Sequence, residues 1–512
     1  MGWPTRSKHG CWTCRLRKKK CDEHRPRCQT CESLSITCYG YGEKPEWMDN
    51  GPQEKAVAEG IKQIVKVTSR RKPAIHVRER NHDRTLAPKA NKESSQSPSE
   101  ASDSADILST EEATLLMHFL DEVFPLQYPA YKPDTMMGGR GWLLHLLLRT
   151  KPLYHAVLAL SSYHRLIIGS ARLSARCRAF SAVRQEEQLQ ICLKEVQRTI
   201  REVDQFVQTR SCGPLGLLAS IVQLLYFELF AGENCAWRIH LNAAIDMYQK
   251  GYKDSLPDFE LSERSKAFLN GNISLGHFDP EDDGPKIVKE VSTLRFMEAT
   301  VIWLDLIASI TAGTAPRLLF YHTTVLQNQP QTDLENIFGC PSWIAIHMGQ
   351  IANLHSQVAQ AKQQGTSFDS KILRSEIRNG LVTASGSSTL SPLALVFTNM
   401  ALVYLHLVVY GFQQLDQMSC VVAETKQVLY TQVPCSAIPA IVCPLFVIGC
   451  VVKPGEEQQS FRTALSSHPE MGPLMRYRSR ILPILEEVWI ERENSIFTWN
   501  DVLEKTRDLL LA

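Results

Sequence analysis

The sequence predicts a mainly α-helical protein in two unequal parts. A small metal-stabilised module sits at the N-terminus, and a disordered linker joins it to a large all-α domain. Three observations carry this expectation. Six of the 15 cysteines fall between residues 11 and 38. From residue 108 onward, apolar residues recur at helical spacing and alternating strand patterns are scarce. Between these regions lies "NKESSQSPSEASDSAD", which has too little apolar surface to offset its own ordering entropy. With 512 residues, 44% hydrophobic and 21% charged, the chain can bury a large core. The expected boundaries are 1–45 for the metal module, 46–72 for a basic helical segment, 73–107 for the linker and 108–512 for the helical domain.

The formal net charge of +2 conceals an asymmetry. Residues 1–92 carry 21 Lys/Arg against 10 Asp/Glu, whereas the remainder carries 35 against 44. A basic segment joined to an acidic domain is the pattern of a polyanion-binding module on an ordinary globular partner. The opening "MGWPTRSKHG" has no apolar stretch of a secretory signal. Fifteen cysteines in such a chain point to a reducing compartment, the cytosol or nucleus. The nine cysteines from Cys177 to Cys450 read as small buried apolar residues.

The first element is the cysteine cluster, Cys11-x2-Cys14-x6-Cys21-x6-Cys28-x2-Cys31-x6-Cys38. The unit C-x2-C-x6-C occurs twice, offset by 17 residues. Short C-x2-C hairpins present two thiolates to a tetrahedral zinc. One zinc would leave two cysteines stranded. Two zincs need eight ligand positions, which six cysteines fill if two of them bridge, and the repeat singles out Cys11 and Cys28. A segment this short cannot fold on apolar burial alone, so the metal must supply most of its stability. Inside the first repeat lie Arg15, Arg17, Lys18, Lys19 and Lys20, whereas "CQTCESLSITC" in the second carries no cation. Cations packed this densely repel one another unless a polyanion faces them. The expectation is a short helix over Arg15–Lys20, held by Cys14 and Cys21, that meets duplex DNA.

These residues resemble the fungal binuclear zinc cluster, the DNA-binding module of fungal transcription regulators. The resemblance covers Gly10 to about Tyr41 and includes all six cysteine positions, the basic run and the "RPRC" turn. It implies one zinc on Cys11, Cys14, Cys21 and Cys28 and a second on Cys11, Cys28, Cys31 and Cys38. It also implies that Arg17 and Lys18 contact bases of a CGG-like triplet in the major groove, and that Arg15, Lys19 and Lys20 contact phosphate. Double-stranded DNA, the transcription machinery or co-regulators are the implied partners, with a nuclear location. A second copy of the chain and a small-molecule effector are compatible with it. The competing reading is a zinc-stabilised interaction platform that does not read DNA sequence.

After the cluster, Val57, Ile61 and Ile64 form an apolar stripe, with Lys62, Lys66 and Arg70 on another face. A dimer-forming coiled coil and a locally packed helix both fit. Barely two heptads and an internal Gly60 favour the local helix. In the helical domain, Ser109 and Glu112 read as a capping box, and Pro125 is expected to end the first helix. Apolar-periodic runs then start near residues 141, 186, 216, 235, 294, 343, 391 and 475. This stretch resembles the helical regulatory domain of many fungal zinc-cluster proteins, through "RGWLLHLLLRTKPLYHAVLALSSYHR" and "FGCPSWIAIHMGQIANL". With "YGYGEKPEWMDNGPQEK", it is similar to the subgroup containing the fungal acriflavine sensitivity control protein, which implies control of drug-response or secondary-metabolite genes. Segments 393–412 and 433–452 are long and apolar enough for a membrane check. Asn399, His406 and three prolines make buried core helices the better reading. No Walker loop, G-x-S-x-G elbow, H-E-x-x-H or kinase signature occurs, and an enzyme is not expected.

Overall fold

The computed structural model describes residues 9–62 with scattered omissions. From 110 onward it describes all except 134, 136–137, 170–174, 205–212, 232–235, 254–283, 322–333, 367–370, 387–389, 467–477, 494–495 and 512. The expected linker, residues 63–72 of the basic segment and Ser109 of the capping box lie outside the described residues. The chain divides into two compact units, Met1–Ser104 and Ala105–Ala512. Among the described residues every regular element is helical.

The first unit contains two short helices, α1 (Trp12–Leu16) and α2 (Gln29–Glu32), one in each half of the cysteine repeat. Its core is sulfur, with Ile36 and Ile61 the other buried members of that cluster. Ile61 is 5% exposed and belongs to a helical stretch that includes Val57, Ala58 and Lys62. Its described part packs Ile61 into the core of the cysteine cluster, with Val57 half-buried beside it.

The second unit opens with α3 (Thr110–His118). Pro125 does not end this helix, contrary to expectation. A π turn over Phe119–Val123 follows, and the helix resumes as α4 (Phe124–Gln127) with Pro125 in its first turn. Proline lacks the N–H for the i−4 carbonyl and its ring would strike that carbonyl. The wider turn just upstream removes both conflicts. Then come α5 (Gly141–Arg149), α6 (Lys151–Ile168), α7 (Ala175–Asp204), α8 (Pro214–Ala231) and α9 (Trp237–Lys253). Thr150, in extended conformation before Lys151-Pro152, splits the 141–165 run into α5 and α6.

The long α10 (Gly284–Ala312) packs against α5, α8 and α9. It also meets α11 (Leu334–Phe338) and α12 (Ser342–Gln363). The rest of the unit comprises α13 (Lys371–Gly386), α14 (Pro392–Tyr410), α15 (Ser419–Thr431), α16 (Val442–Gly449), α17 (Glu456–Ser466), α18 (Ile481–Glu491) and α19 (Trp499–Thr506). At the junction with α10, Phe296 sits among Phe124, Tyr128, Tyr131 and Trp142, with ring centroids 4.6–5.9 Å apart. Such aromatic contacts contribute beyond area burial. Gly380 brings α13 close to α12, since a β-carbon there would lie 2.6 Å from His347.

Two helices, α8 and α14, are long and apolar enough to cross a membrane, but 78% and 67% of their respective windows are buried inside the unit. In α14, Asn399 Nδ2 donates to Glu424 and Thr425, both at 3.1 Å, and His406 bonds the Gln413 carbonyl at 2.8 Å. Segment 433–452 breaks into a 3-10 turn (Cys435–Ile441) and the short α16. Of the scattered cysteines, Cys192, Cys340, Cys443 and Cys450 are buried, whereas Cys420 and Cys435 are exposed, against expectation. Those two lie at the start of α15 and of the 3-10 turn, where side chains escape the core.

Glu298 is fully buried in α10, and burial pushes its carboxyl up to about 7 despite a hydrogen bond from Tyr248 Oη at 3.3 Å. The folded state therefore holds a proton that the unfolded chain releases near pH 4.5. Stability falls as pH rises from that value to about 7, by up to ~3 kcal/mol. Glu298→Gln should remove this slope. Denaturant melts should show the variant more stable than wild type at pH 8 and equal to it at pH 4.5.

Candidate metal centre and nucleic-acid interface

The N-terminal unit is built around its cysteines. Cys11, Cys14, Cys28 and Cys31 are completely buried, Cys21 is 5% exposed and Cys38 is half-buried. The sulfurs form two groups of four: Cys11, Cys14, Cys21 and Cys28, and Cys11, Cys28, Cys31 and Cys38. Within each group all sulfurs lie within 4.8 Å of one another, and Cys11 and Cys28 belong to both. The shared pair is 3.6 Å apart, Cys14–Cys28 is 3.7 Å and Cys11–Cys31 is 3.8 Å. A zinc–thiolate bond of about 2.3 Å in a tetrahedron spans sulfur–sulfur edges of about 3.8 Å. The donor set therefore fits zinc in size and chemistry.

Backbone amides aim the sulfurs. The N–H groups of Cys14 and Cys31 donate to Cys11 Sγ and Cys28 Sγ, at 3.4 and 3.3 Å, so the two halves repeat one device. Cys21 Sγ accepts from the amides of Cys11 and Glu23, both at 3.4 Å, and lies 3.5 Å from Tyr41 Oη. Burial pushes the Cys11 and Cys31 thiols up strongly and Cys14 to about 12. Burial acts the same way on Cys21, but its hydrogen bonds to Tyr41 and the two amides bring it down to about 7. Thiols crowded this tightly resist ionisation without a countercharge, which a divalent ion supplies.

The halves are stitched together through α1. Thr13 is fully buried; its Oγ1 donates to the Thr37 carbonyl at 2.7 Å and accepts from Tyr39 N–H at 2.9 Å. Trp12 donates through its backbone to Gly40 and through Nε1 to Gly42, at 3.0 and 2.9 Å. Asp22 closes the other side by accepting from Gln29 N–H (2.9 Å), Thr30 N–H (2.7 Å) and Thr30 Oγ1 (2.7 Å) at the start of α2. These hydrogen bonds, that from Thr30 Oγ1 foremost, hold its carboxyl far below the usual carboxylate range.

The cations are placed differently from expectation. Helix α1 ends at Leu16, so Arg15 alone lies on it and Arg17 is its C-cap. Lys18 N–H bonds the Arg15 carbonyl and Lys19 N–H the Cys14 carbonyl, at 3.1 and 3.0 Å, and Lys18 has φ 54°. This is a Schellman turn with lysine where glycine is usual. It stops the helix because Cys21 must return to the sulfur cluster within seven residues of Cys14. Arg15, Lys18, Lys19 and Lys20 are exposed, and Arg17 is half-buried. Arg15 stacks on the Trp12 ring, 4.2 Å from its centroid. None of the five forms an ion pair among the described residues. Unpaired cations gathered at one helix end form a surface for a polyanion.

Two histidines of the helical unit, His155 and His164, have separate partners. His155 pairs with Gln188, 2.6 Å away. His164 instead meets His118, 46 positions earlier, with Nδ1 and Nε2 separated by 2.9 Å. The residue missed at the sequence level is Thr13, which carried no signal beyond lying inside C-x2-C.

Residues 9–48 match the fungal Zn(2)-Cys(6) binuclear cluster domain, and residues 114–512 match the fungal specific transcription factor domain. The pestheic acid cluster transcriptional regulator 3 of Pestalotiopsis fici is 44% identical, over 98% of both chains. The transcription factor dibT of Pestalotiopsis microspora is 24% identical over 95% of both. A trichothecene biosynthesis transcription regulator of Trichoderma arundinaceum is 27% identical over 75% of this chain and 92% of its own. No solved structure matches. The cluster domain implies zinc binding, and the family implies a nuclear location.

Thr13→Val keeps the shape of the side chain but strands the Thr37 carbonyl and the Tyr39 amide, which should cost about 1–3 kcal/mol. Zinc release to a competing chelator should be correspondingly faster, and an unchanged release rate would count against this stitch. The matched domains and the relatives establish that the chain is a DNA-binding fungal Zn(2)-Cys(6) transcription factor, a regulator rather than an enzyme.

Proposed function

We propose that this regulator reads a CGG-like triplet in the major groove and controls genes of secondary metabolism from the nucleus. Two zinc ions per chain hold the reader. One is bound by Cys11, Cys14, Cys21 and Cys28, the other by Cys11, Cys28, Cys31 and Cys38, with Cys11 and Cys28 bridging. The observation that carries the reading is the unpaired cationic turn tied to the sulfur cluster through Cys14 and Cys21. Lys18, exposed at the apex of the turn, and Arg17 beside it are the base-reading side chains, because Lys and Arg match guanine O6 and N7. Arg15, Lys19 and Lys20 contact phosphate and supply sequence-independent affinity. Secondary metabolism is favoured over drug response because the relatives are named for the pestheic acid cluster and for trichothecene biosynthesis.

Metal analysis of the purified chain should find two zincs per molecule; a single zinc with free thiols would overturn the shared cluster. Selection from random oligonucleotides should recover a CGG-like triplet. Lys18→Gly preserves the left-handed turn while removing the cation. It should relax preference at one position of the triplet by about 1–3 kcal/mol. Lys20→Ala should weaken all sequences alike and lower the salt slope by about one. Equal losses on every sequence for both variants would refute this division of labour.

A further inference from the structure

We propose that the helical unit binds a small organic anion with an apolar ring body, in a cleft between α13, α14 and α15. The cleft has a volume of about 320 Å³, within the range of small-molecule sites. Its two walls differ in chemistry. Helix α13 buries Ile377 and Leu381 in the core, while Arg374 and Arg378, one turn apart, line the cleft. Neither guanidinium has an ion-pair partner among the described residues, no described Asp or Glu lines the cleft, and Lys371 adds a third cation at its edge. The facing wall is mainly apolar, with Leu402 and Val409 of α14 and Met418 and Val421 where the chain enters α15, and Tyr410 and Gln417 are its polar members. His406 closes the end by bonding the Gln413 carbonyl at 2.8 Å, so that ring nitrogen is already engaged.

Two like charges at i and i+4 repel, and no carboxylate among the described residues lines the cleft to offset them. An anion would relieve that repulsion, and a guanidinium pair offers planar, bidentate donors suited to carboxylate or sulfonate. The opposite wall excludes a hydrated inorganic ion as the best occupant, because half-buried aliphatic side chains gain only from apolar contact. The cleft is also too small and too apolar for a nucleic-acid backbone. An aryl or alicyclic acid satisfies both walls at once.

The test uses the full-length chain without DNA, so its failure leaves the DNA reading untouched. Fluorescence titration compares anilinonaphthalene sulfonate with uncharged N-phenylnaphthylamine, which has the same ring skeleton. The sulfonate should bind a single saturable site about tenfold or more tighter than the neutral probe. The double variant Arg374→Gln/Arg378→Gln should lose that advantage and leave the neutral probe unchanged. Val409→Trp should fill the cleft and abolish binding of both. Equal affinity of the two probes for wild type would overturn the proposal, as would a sulfonate advantage that survives the arginine variant or sulfonate binding that survives Val409→Trp. Should Val409→Trp fail to fold, the arginine variant, altered only at side chains outside the core, still decides.

Discussion

Six sulfurs packed at tetrahedral contact distance are the constraint on which the N-terminal unit depends. Beside the cysteines, the apolar core among its described residues is Ile36 and Ile61, too little apolar surface to order a segment of this length. Metal–thiolate bonds take the place of a hydrophobic core, and folding becomes inseparable from metal binding. The amides that point at Cys11, Cys21 and Cys28 belong to this same interaction, because they fix the direction of each sulfur within the cluster.

The functional surface follows from that constraint by a short chain of cause. Cys14 and Cys21 are both drawn into the cluster, so the residues between them cannot continue α1. The helix stops, Lys18 takes the left-handed conformation, and the Lys19 amide closes on the Cys14 carbonyl. The cations then diverge from a turn instead of stacking on one helical face, and they stand at the negative end of the short helix. The metal thus orders charge that the unfolded chain would scatter, and a polyanion meets a surface whose conformational cost is already met.

The helical unit solves a different problem, that of burying polar side chains in an apolar interior. Asp305 accepts from the Arg317 and Leu318 amides, at 3.2 and 2.8 Å, and so holds the chain as it leaves α10. Asn399 bonds across to α15. Each group is retained by partners distant in sequence, as burial without a partner would demand. This explains why α8 and α14 have the composition of membrane spans yet serve as core helices: their surroundings are other helices of the same unit.

The sequence by itself determined the class of fold, the two-part organisation and the sulfur cluster, because metal ligation and helical burial impose short, strict periods that survive in one dimension. Cysteine spacing carried the zinc signal, and apolar recurrence located most of the long helices. Tertiary structure decided the rest. It ended α1 at Leu16, set a π turn before Pro125, and paired His118 with His164. It also brought Arg374 and Arg378 opposite the apolar side of α14. Those outcomes depend on which distant surfaces pack together, and local spacing contains no record of that choice.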